Sequence, residues 1–290
     1  MSEQTVPSND DQIEYWNGRN GEKWVANQAR MDLILAPFSE AVIHTLAPAG
    51  GERAIDIGCG CGVTTRAIAE RTGKEGLSLG VDVSRPMIEH ARALAAAENN
   101  PAEFLLADAS SHTFDGPGFD LLASRFGVMF FADPDTAFAH LHGAMKPGGR
   151  LAFACWRPLS ENSWFHVPLL AALEHVEAPE PPAPGTPGPF AFQDKDRVNA
   201  ILKGAGFGGI SIERLDVEMT MGRADGETGD PVEDALYQSL EIGPFSRLFA
   251  DLDDTAREKA VDAVRKALTA HKTDRGVVLN GSVWLVTANA

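Results

Sequence analysis

The chain has 290 residues, of which 44% are hydrophobic, enough for the core of one large domain or of a domain with an elaborated cap. Its 41 acidic and 25 basic residues give a formal net charge of −16, which disfavours binding to nucleic acid or to anionic membranes. We find no apolar stretch that predicts a membrane span or a secretion signal, and three cysteines are too few for a disulfide framework. These features predict a cytoplasmic protein, monomeric or homodimeric, with no nucleic-acid or membrane partner.

The amino-terminal part of the chain is predicted to form a lid ahead of the main fold. Residues 1–11 are polar and acidic and are predicted to be disordered, whereas 12–50 carry apolar residues at helical spacing and predict two helices. Tyr15, Trp16 and Trp24 lie in this lid. They either pack it onto the core or line a site, with Trp16 and Trp24 against a cofactor and Tyr15 against a substrate.

A glycine-rich turn follows the first predicted strand. Residues 53–57 are short, apolar and β-branched apart from Asp56, which predicts a strand covered on both faces. Gly58, Gly60 and Gly62 come next, and glycines at alternate positions let the backbone turn sharply and approach a ligand. The helix that follows directs unpaired N–H groups toward the carboxyl edge of the sheet, where a doubly wound α/β fold binds nucleotide-like ligands.

The spacing of these glycines separates two kinds of nucleotide ligand. A dinucleotide site requires a glycine or alanine at position 63, where this chain has Val63. Asp56 is poorly placed for a pyrophosphate but well placed for a cationic amino-acid tail and its water shell. Cys59 and Cys61 suggest a metal or redox site, but no third or fourth ligand lies near them in sequence, so we expect no metal and interpret them as small residues filling the turn.

Acidic residues end the next two predicted strands. Asp82 lies near the end of strand 77–83, at the offset from the glycine turn that is typical of an acid binding ribose hydroxyls. Asp108 follows strand 103–107, where its carboxylate can accept a hydrogen bond from an adenine amine while the backbone N–H of Ala109 meets a ring nitrogen. A plain turn residue is the alternative for Asp108.

Two further predicted strands lead to candidate substrate residues. Strand 118–124 ends in a loop at the topological switch of the sheet, and strand 150–156 follows the turn 146–149. Trp156, Arg157 and Trp164 are candidates for a wall of the substrate pocket. Core packing explains the two tryptophans equally well.

The carboxyl-terminal part, 158–290, is predicted to complete the same domain. A proline-rich loop at 178–189 precedes a sixth strand at 210–217. A pair of acidic helices within about 222–275 is expected to form a cap over the substrate. The last strand, 282–288, is expected to run antiparallel.

Taken in order, these motifs resemble those of class I S-adenosylmethionine-dependent methyltransferases, most closely the UbiE-like small-molecule methyltransferases. The motifs are DxGxGxG at 56–62, VD at 81–82, AD at 107–108, FD at 119–120 and KPGG at 146–149. The resemblance covers 12–156 and becomes loose afterwards. It implies an α/β fold, a Rossmann-like doubly wound sheet of seven strands whose last strand is antiparallel, with 51–157 as the S-adenosylmethionine-binding core.

The resemblance also implies residue roles. Asp56 and the glycines support the methionine part of the cofactor, Asp82 takes the ribose, Asp108 and Ala109 take the adenine, and the loop 124–126 closes the far side. The residues expected at the cofactor are Asp56, Gly58, Gly60, Gly62, Asp82, Val83, Met87, Asp108, Ala109, Ser124, Arg125 and Phe126.

The implied reaction is methyl transfer to a small-molecule acceptor, which leaves S-adenosylhomocysteine as the product. The cofactor already carries an electrophilic methyl group, so we expect catalysis mainly from in-line positioning of the acceptor and exclusion of water. His166, after the fifth strand, is a candidate general base for an acceptor that must lose a proton. The alternatives are an NAD(P)-dependent oxidoreductase, which Val63 disfavours, and a non-catalytic S-adenosylmethionine-binding protein.

Overall fold

The computed structural model of the chain describes residues 9–115, 118–178, 180, 182–183, 185–226, 229–241 and 252–290. The chain divides into two compact units, and both of them contain part of residues 158–290. The first unit comprises Met1–Trp156, Gly185–Leu215 and Val283–Ala290, and the second comprises Arg157–Pro184 and Asp216–Ser282. Within the described ranges, no helix combines the length and the hydrophobicity needed to cross a bilayer.

The first unit alternates strands and helices after an amino-terminal group of helices. Its helices are α1 (Asp10–Asn17), α2 (Arg19–Ala26), α3 (Gln28–Leu46), α4 (Val63–Thr72), α5 (Arg85–Glu98), α6 (Pro134–Ala144) and α8 (Lys195–Gly204). Its strands are β1 (Arg53–Ile57), β2 (Leu77–Asp82), β3 (Glu103–Leu106), β4 (Phe119–Arg125) and β5 (Met145–Trp156), together with parts of β6 (Gly208–Gly222) and β8 (Gly276–Asn289).

The sheet of the first unit has the strand order β3-β2-β1-β4-β5-β8-β6. Neighbours from β3 to β5 are parallel, whereas β8 runs antiparallel to β5. Among the described residues this path contains the seven predicted strands, and the predicted Rossmann-like fold with an antiparallel last strand is confirmed. The strand order reverses between β1 and β4, which is where such sheets open a crevice at their carboxyl ends.

The second unit contains helices α7 (Ser163–Leu173), α9 (Pro231–Glu241) and α10 (Asp254–Thr269). The pair α9 and α10 lies where the sequence predicts a helical cap, and α10 packs on both α7 and α9. A two-residue strand, β7 (Lys272–Thr273), which the sequence did not predict, pairs antiparallel with the start of β8. Residues 242–251, also inside the predicted cap, lie outside the described ranges.

The amino-terminal segment is ordered earlier than predicted. Helix α1 begins at Asp10, inside the segment 1–11 that was expected to be disordered, and residues 1–8 lie outside the described ranges. Asp10 and Asp11 favour a helix start because acidic side chains oppose the positive end of the helix dipole. The lid has three helices where the sequence predicted two, because breaks at Gly18 and Asn27 separate α1, α2 and α3.

The carboxyl ends of β1 and β4 meet backbone to backbone. A Cβ added to Gly58 would lie 2.5 Å from Cα of Gly127, and one added to Gly127 would lie 2.4 Å from the carbonyl oxygen of Ile57. The buried hydroxyl of Ser124 stabilises this contact, since it donates to the Ile57 carbonyl over 2.7 Å and accepts from the backbone N–H of Gly127 over 3.2 Å. Real Cβ atoms do not approach so closely, so both positions require glycine.

We predict that Gly127→Ala destabilises the protein by about 1–3 kcal/mol, because the added methyl group overpacks the contact between β1 and β4. Gly127 has φ −79° and ψ −42°, which alanine adopts freely, so the effect would be steric. Urea denaturation measures the loss. Gly143→Ala on α6 is the control, because nothing lies within 4 Å of its added Cβ and stability should be unchanged or slightly higher. Equal stability of Gly127→Ala and the wild type would contradict the close approach.

Candidate functional site

The glycine turn between β1 and α4 is fixed by its neighbours. The backbone N–H groups of Gly58 and Cys59 donate to the carbonyl of Val81 on β2 over 2.9 and 3.1 Å. Gly60 has φ +55° and Gly62 has φ +80°, conformations that L side chains rarely adopt. The glycines are thus required by backbone conformation as well as by close packing.

Two predicted cofactor residues flank the middle of this turn. Nearest to a Cβ added at Gly60 would be Met87 Sδ at 3.7 Å and Trp24 Nε1 at 3.9 Å, which are ordinary contact distances. Met87 lies in the first turn of α5 and is buried, while Trp24 comes from α2 and is partly exposed. The structure therefore brings the lid helix α2 and helix α5 together at Gly60.

Asp56 at the end of β1 is a buried carboxylate with one free oxygen. Its Oδ2 accepts a hydrogen bond from the Thr65 hydroxyl over 2.7 Å, whereas Oδ1 has no hydrogen-bond partner among the described residues. Burial raises the pKa of Asp56 to about 7, and the nearby charge of Asp82 adds to that rise, although Thr65 and Arg125 oppose it. An unpaired buried carboxyl oxygen suits a ligand that brings a hydrogen-bond donor or a positive charge.

Arg125 supplies the opposite charge at the end of β4. Its side chain is 9% exposed, and Nη1 lies 3.1 Å from Ser39 Oγ and 3.7 Å from Asp32 Oδ1, both on α3. Burial lowers the pKa of Arg125, while the charges of Asp32 and Asp56 raise it. A guanidinium remains protonated in such a setting, so the site contains a fixed buried cation.

Asp82 ties the end of β2 to the glycine turn. Its Oδ2 accepts from the backbone N–H of Gly60 over 2.8 Å, and its Oδ1 accepts from that of Ser84 over 2.9 Å. Burial raises its pKa although these backbone donors act in the opposite direction. Val83 follows and contributes its carbonyl oxygen, which accepts from the Asn17 side chain over 2.8 Å.

Asp108 is the acid after β3, and it has three donors on one oxygen. Its Oδ1 accepts from the backbone N–H and hydroxyl of Ser110 over 2.9 and 2.7 Å, which forms a local turn. Its third donor is Asn9 Nδ2 at 2.9 Å. Ala109 beside it is buried. The turn interpretation and the ligand interpretation of Asp108 are therefore compatible.

Phe126 adopts a left-handed backbone conformation at the end of β4. Its φ is +66°, which is strained for a bulky residue and is the kind of strain that concentrates at functional sites. Its ring stacks on Trp156 with centroids 4.2 Å apart and planes 7° apart, and Phe38 packs edge-on against both. Trp156 is only 5% exposed, so this packing supports the core interpretation of Trp156 over the pocket wall.

The lid aromatics pack on one another and on the loop after β4. Trp16 contacts Tyr15, Trp24 and Phe130 edge-on, with centroids 5.1, 6.1 and 5.3 Å away. Phe130 belongs to the 3₁₀ turn Val128–Phe130 that follows β4. These contacts show that the lid packs against the site region, which is the structural alternative predicted for the three lid aromatics.

In the second unit, Arg157 forms ion pairs with two carboxylates. Its guanidinium is 4% exposed and bonds to Glu161 and, over 2.7 Å, to Asp216, which also accepts from Ser282 over 2.6 Å. A buried guanidinium paired with two carboxylates supports a structural role for Arg157, and its place in a pocket wall stays a prediction.

The remaining predicted residues of the second unit lie on α7. Trp164 Nε1 donates to Asn162 Oδ1 over 3.2 Å, and its ring packs edge-on against Phe165. His166 Nδ1 is buried and makes no hydrogen bond within the described part of the chain.

Several residues around the site were missed by sequence reasoning. Ser124 was predicted at the cofactor, and the structure shows its buried hydroxyl bonded to backbone groups of both adjoining strand ends. Gly127, Thr65 and Asn9 were not predicted. A glycine just after strand β4 was a usable signal for Gly127, whereas Asn9 gave none, because its partners lie 99 and 123 residues away.

We predict that Asp56→Asn becomes more stable relative to the wild type as the pH rises. The folded carboxyl of Asp56 keeps its proton up to about pH 7, whereas the unfolded one releases it near its ordinary value of about 3.9. Wild-type stability therefore falls between these values, and the whole loss is present above them. The difference in unfolding free energy should grow by up to about 2 kcal/mol between about pH 5.5 and about pH 8, as 1.4 kcal/mol per pH unit requires.

Urea denaturation of the cofactor-free protein at the two pH values measures this change. Asp120→Asn is the control, because Lys146 and the backbone N–H of Arg53 lower the pKa of Asp120, so its titration ends below this range. A pH-independent difference between Asp56→Asn and the wild type would show that Asp56 is ionised throughout.

Comparison with known proteins places this site in a family. The methyltransferase domain family matches residues 54–149. Aklanonic acid methyltransferase DauC of Streptomyces sp. strain C5 is 33% identical over 152 residues, which cover 49% of this chain and 68% of that protein. Nocamycin O-methyltransferase of Saccharothrix syringae is 26% identical over 262 residues, covering 87% and 90%.

A solved structure supports the fold independently. Phosphoethanolamine N-methyltransferase 2 of Haemonchus contortus, crystallised with S-adenosyl-L-methionine, superimposes with a TM-score of 0.56 at 18% identity, covering 99% of this chain and 60% of that chain. With the sheet order, the glycine turn and the relatives in agreement, the chain belongs to the class I S-adenosylmethionine-dependent methyltransferases.

Proposed function

We propose that the carboxyl edge of β1 to β4 holds S-adenosylmethionine and presents it to a small-molecule acceptor. The protein is a methyltransferase, and its cofactor when bound supplies a methyl group already activated by a sulfonium. The observation that carries the proposed site is the unpaired, buried Oδ1 of Asp56 beside the glycine turn. Such an atom is destabilising unless a ligand satisfies it.

The methionine end of the cofactor fits the charges found here. Its amino group is a cation and a hydrogen-bond donor. The Oδ1 atom of Asp56 is placed to accept a hydrogen bond from it. Its carboxylate is an anion, for which Arg125 is the buried cation. Since Asp56 and Arg125 end adjacent strands, one zwitterionic tail can meet both.

The adenosine end fits the two acids farther along the sheet edge. The Asp82 carboxylate accepts backbone hydrogen bonds from Gly60, Ser84 and Val83, and its roughly four acceptor sites leave room for a ribose hydroxyl. Asp108 Oδ2 makes no hydrogen bond within the described part of the chain, so it can accept from the adenine amine. Ala109 is the proposed backbone donor to the ring.

A small-molecule acceptor is supported by the relatives. The two methyltransferases above are named for aklanonic acid and nocamycin, and neither name indicates a nucleic acid. The charge of −16 likewise disfavours nucleic acid, and three free, buried thiols fit a reducing cytoplasm. The narrower UbiE-like assignment and the choice between monomer and homodimer stay predictions.

Titration calorimetry with S-adenosylhomocysteine and with NADH tests the cofactor site. We expect S-adenosylhomocysteine to bind and NADH to give no heat. Asp82→Ala should weaken S-adenosylhomocysteine by more than about tenfold, because hydrogen bonds to a charged group are lost. Asp120→Ala is the matched control, since Asp120 bonds to Lys146 and to Arg53 at the opposite end of β4 and should leave the affinity unchanged.

If Asp82→Ala binds S-adenosylhomocysteine with unchanged affinity, Asp82 does not bind the ribose. Binding of NADH without S-adenosylhomocysteine would overturn the site as a whole. A panel of phenols, carbon acids and amines, assayed for S-adenosylhomocysteine release, then separates turnover from cofactor binding alone.

His166 is the proposed general base for an acceptor that loses a proton, and its unpaired Nδ1 supports this role. With such an acceptor from the panel, His166→Asn should lower kcat by about 10²–10⁴-fold while the affinity for S-adenosylhomocysteine stays constant. His175→Asn is the control, because His175 follows the same helix and is exposed to solvent. A kcat equal to that of the wild type would exclude His166 as the base.

A further inference from the structure

The side chain of Asn9 does not cap the helix that it precedes. It occupies the N-cap position of α1, yet it makes no capping hydrogen bond. Its Nδ2 donates to Asp108 Oδ1 over 2.9 Å, and its Oδ1 accepts from the backbone N–H of Ala132 over 2.8 Å. An N-cap bond stabilises a helix by about 0.5–2 kcal/mol. The Asn9 side chain does not make that bond. Its two hydrogen bonds instead connect the end of β3 to the segment after β4.

Asn17, the last residue of α1, makes an equivalent pair of contacts at the other end. Its Nδ2 donates to the carbonyl of Val83 over 2.8 Å, and its Oδ1 accepts from the backbone N–H of Arg85 over 3.0 Å. The carbonyl of Trp16 beside it accepts from the Ser84 hydroxyl over 2.7 Å. This end of α1 is therefore bound to the turn that directly follows Asp82.

Between these two ties, α1 has little of its own to hold it. It is eight residues long and contains no buried residue. An isolated helix of this length is marginal in water. Apart from the ties, it packs on α2, and the ring of Trp16 contacts those of Trp24 and Phe130 edge-on, with centroids 6.1 and 5.3 Å away. Elements with few buried contacts open locally at low free energy, far below that of global unfolding.

The two ties stand beside the two acids proposed for the adenosine. Asn9 bonds to Asp108 itself, and Asn17 bonds to the residues that follow Asp82. We propose that α1 is a strap, tied at Asn9 and Asn17, that closes over the adenosine half of the cofactor and sets the rate at which S-adenosylhomocysteine leaves. This inference rests on the proposed cofactor site.

Asparagine suits both ties because each needs one donor and one acceptor on the same side chain. Asn9→Ala removes both hydrogen bonds without burying a polar group. Asn9→Asp keeps the acceptor for Ala132 but sets a second carboxylate against Asp108. The aspartate variant should therefore release the strap at least as much as the alanine variant does. Since aspartate and asparagine have nearly the same size, this result would show that the hydrogen bonds matter and not the volume of the side chain.

Surface plasmon resonance with immobilised protein and S-adenosylhomocysteine as analyte measures the release. We expect Asn9→Ala to raise the dissociation rate constant by roughly tenfold, as the loss of one or two hydrogen bonds implies. Asn17→Ala should act similarly. Asn27→Ala is the matched control, because Asn27 lies in the same group of helices and, within the described ranges, its side chain bonds only to the carbonyl of Lys23, four residues away. Its dissociation rate should equal that of the wild type.

Hydrogen exchange of the cofactor-free protein gives a readout that needs no ligand. Asn9→Ala should reduce protection of the α1 amides and leave those of β1 and β4 unchanged. Tighter binding of S-adenosylhomocysteine to Asn9→Ala without faster dissociation would overturn the strap, because it would mean that Asn9 competes with the adenine for Asp108. Unchanged α1 exchange with unchanged dissociation would overturn it as well. Failure of the wild type to bind S-adenosylhomocysteine would instead overturn the cofactor site on which the strap depends. The hydrogen-exchange result does not depend on that site, because it is measured without a ligand.

Discussion

The contact between Gly58 and Gly127 is the constraint on which the site depends. The carboxyl ends of β1 and β4 approach backbone to backbone because neither residue has a Cβ, and Ser124 bonds to both sides of the contact. Asp56 precedes one glycine by two positions, and Arg125 precedes the other by two. The same close approach therefore fixes where the buried carboxylate and the buried guanidinium stand, so a sterically enforced backbone contact determines the electrostatics of the site.

These charges are unfavourable for folding when considered alone. Burial raises the pKa values of Asp56 and Asp82 and lowers that of Arg125, so each charged form has lost part of its hydration. Partners offset this loss only in part, since Asp32 is 3.7 Å from Arg125 and one Asp56 oxygen has no partner among the described residues. Arg157 differs from this group because its guanidinium bonds to two carboxylates. A binding site needs unsatisfied groups, whereas a structural ion pair needs satisfied ones.

Sequence reasoning succeeded where the signal is local. The seven strands of the main path and the glycine turn were predictable because each depends on a pattern within a few residues, and the doubly wound fold with an antiparallel last strand followed from the resemblance of the ordered motifs. It could not identify the hydrogen-bond partners of Ser124 and Arg157, because these come from other elements: Ile57 for the first, and Asp216 for the second. The sequence pattern around a polar residue beside a site is the same whether its side chain bonds to the ligand or to the backbone.

The order of α1 shows a second limit of local patterns. Helix α1 begins inside residues 1–11, which are predicted to be disordered because a short acidic segment cannot bury enough apolar surface to offset its lost conformational entropy. In the structure it buries no residue, and it is held by side-chain amides bonded to distant backbone and carboxylate groups. Helix α3, which buries a row of apolar residues, follows the hydrophobic periodicity as predicted. An element that buries no residue and is held by polar ties and a few ring contacts opens more easily than its neighbours. An enzyme requires that difference at the entrance to a cofactor site, where one element must open while the glycine contact beneath it stays fixed.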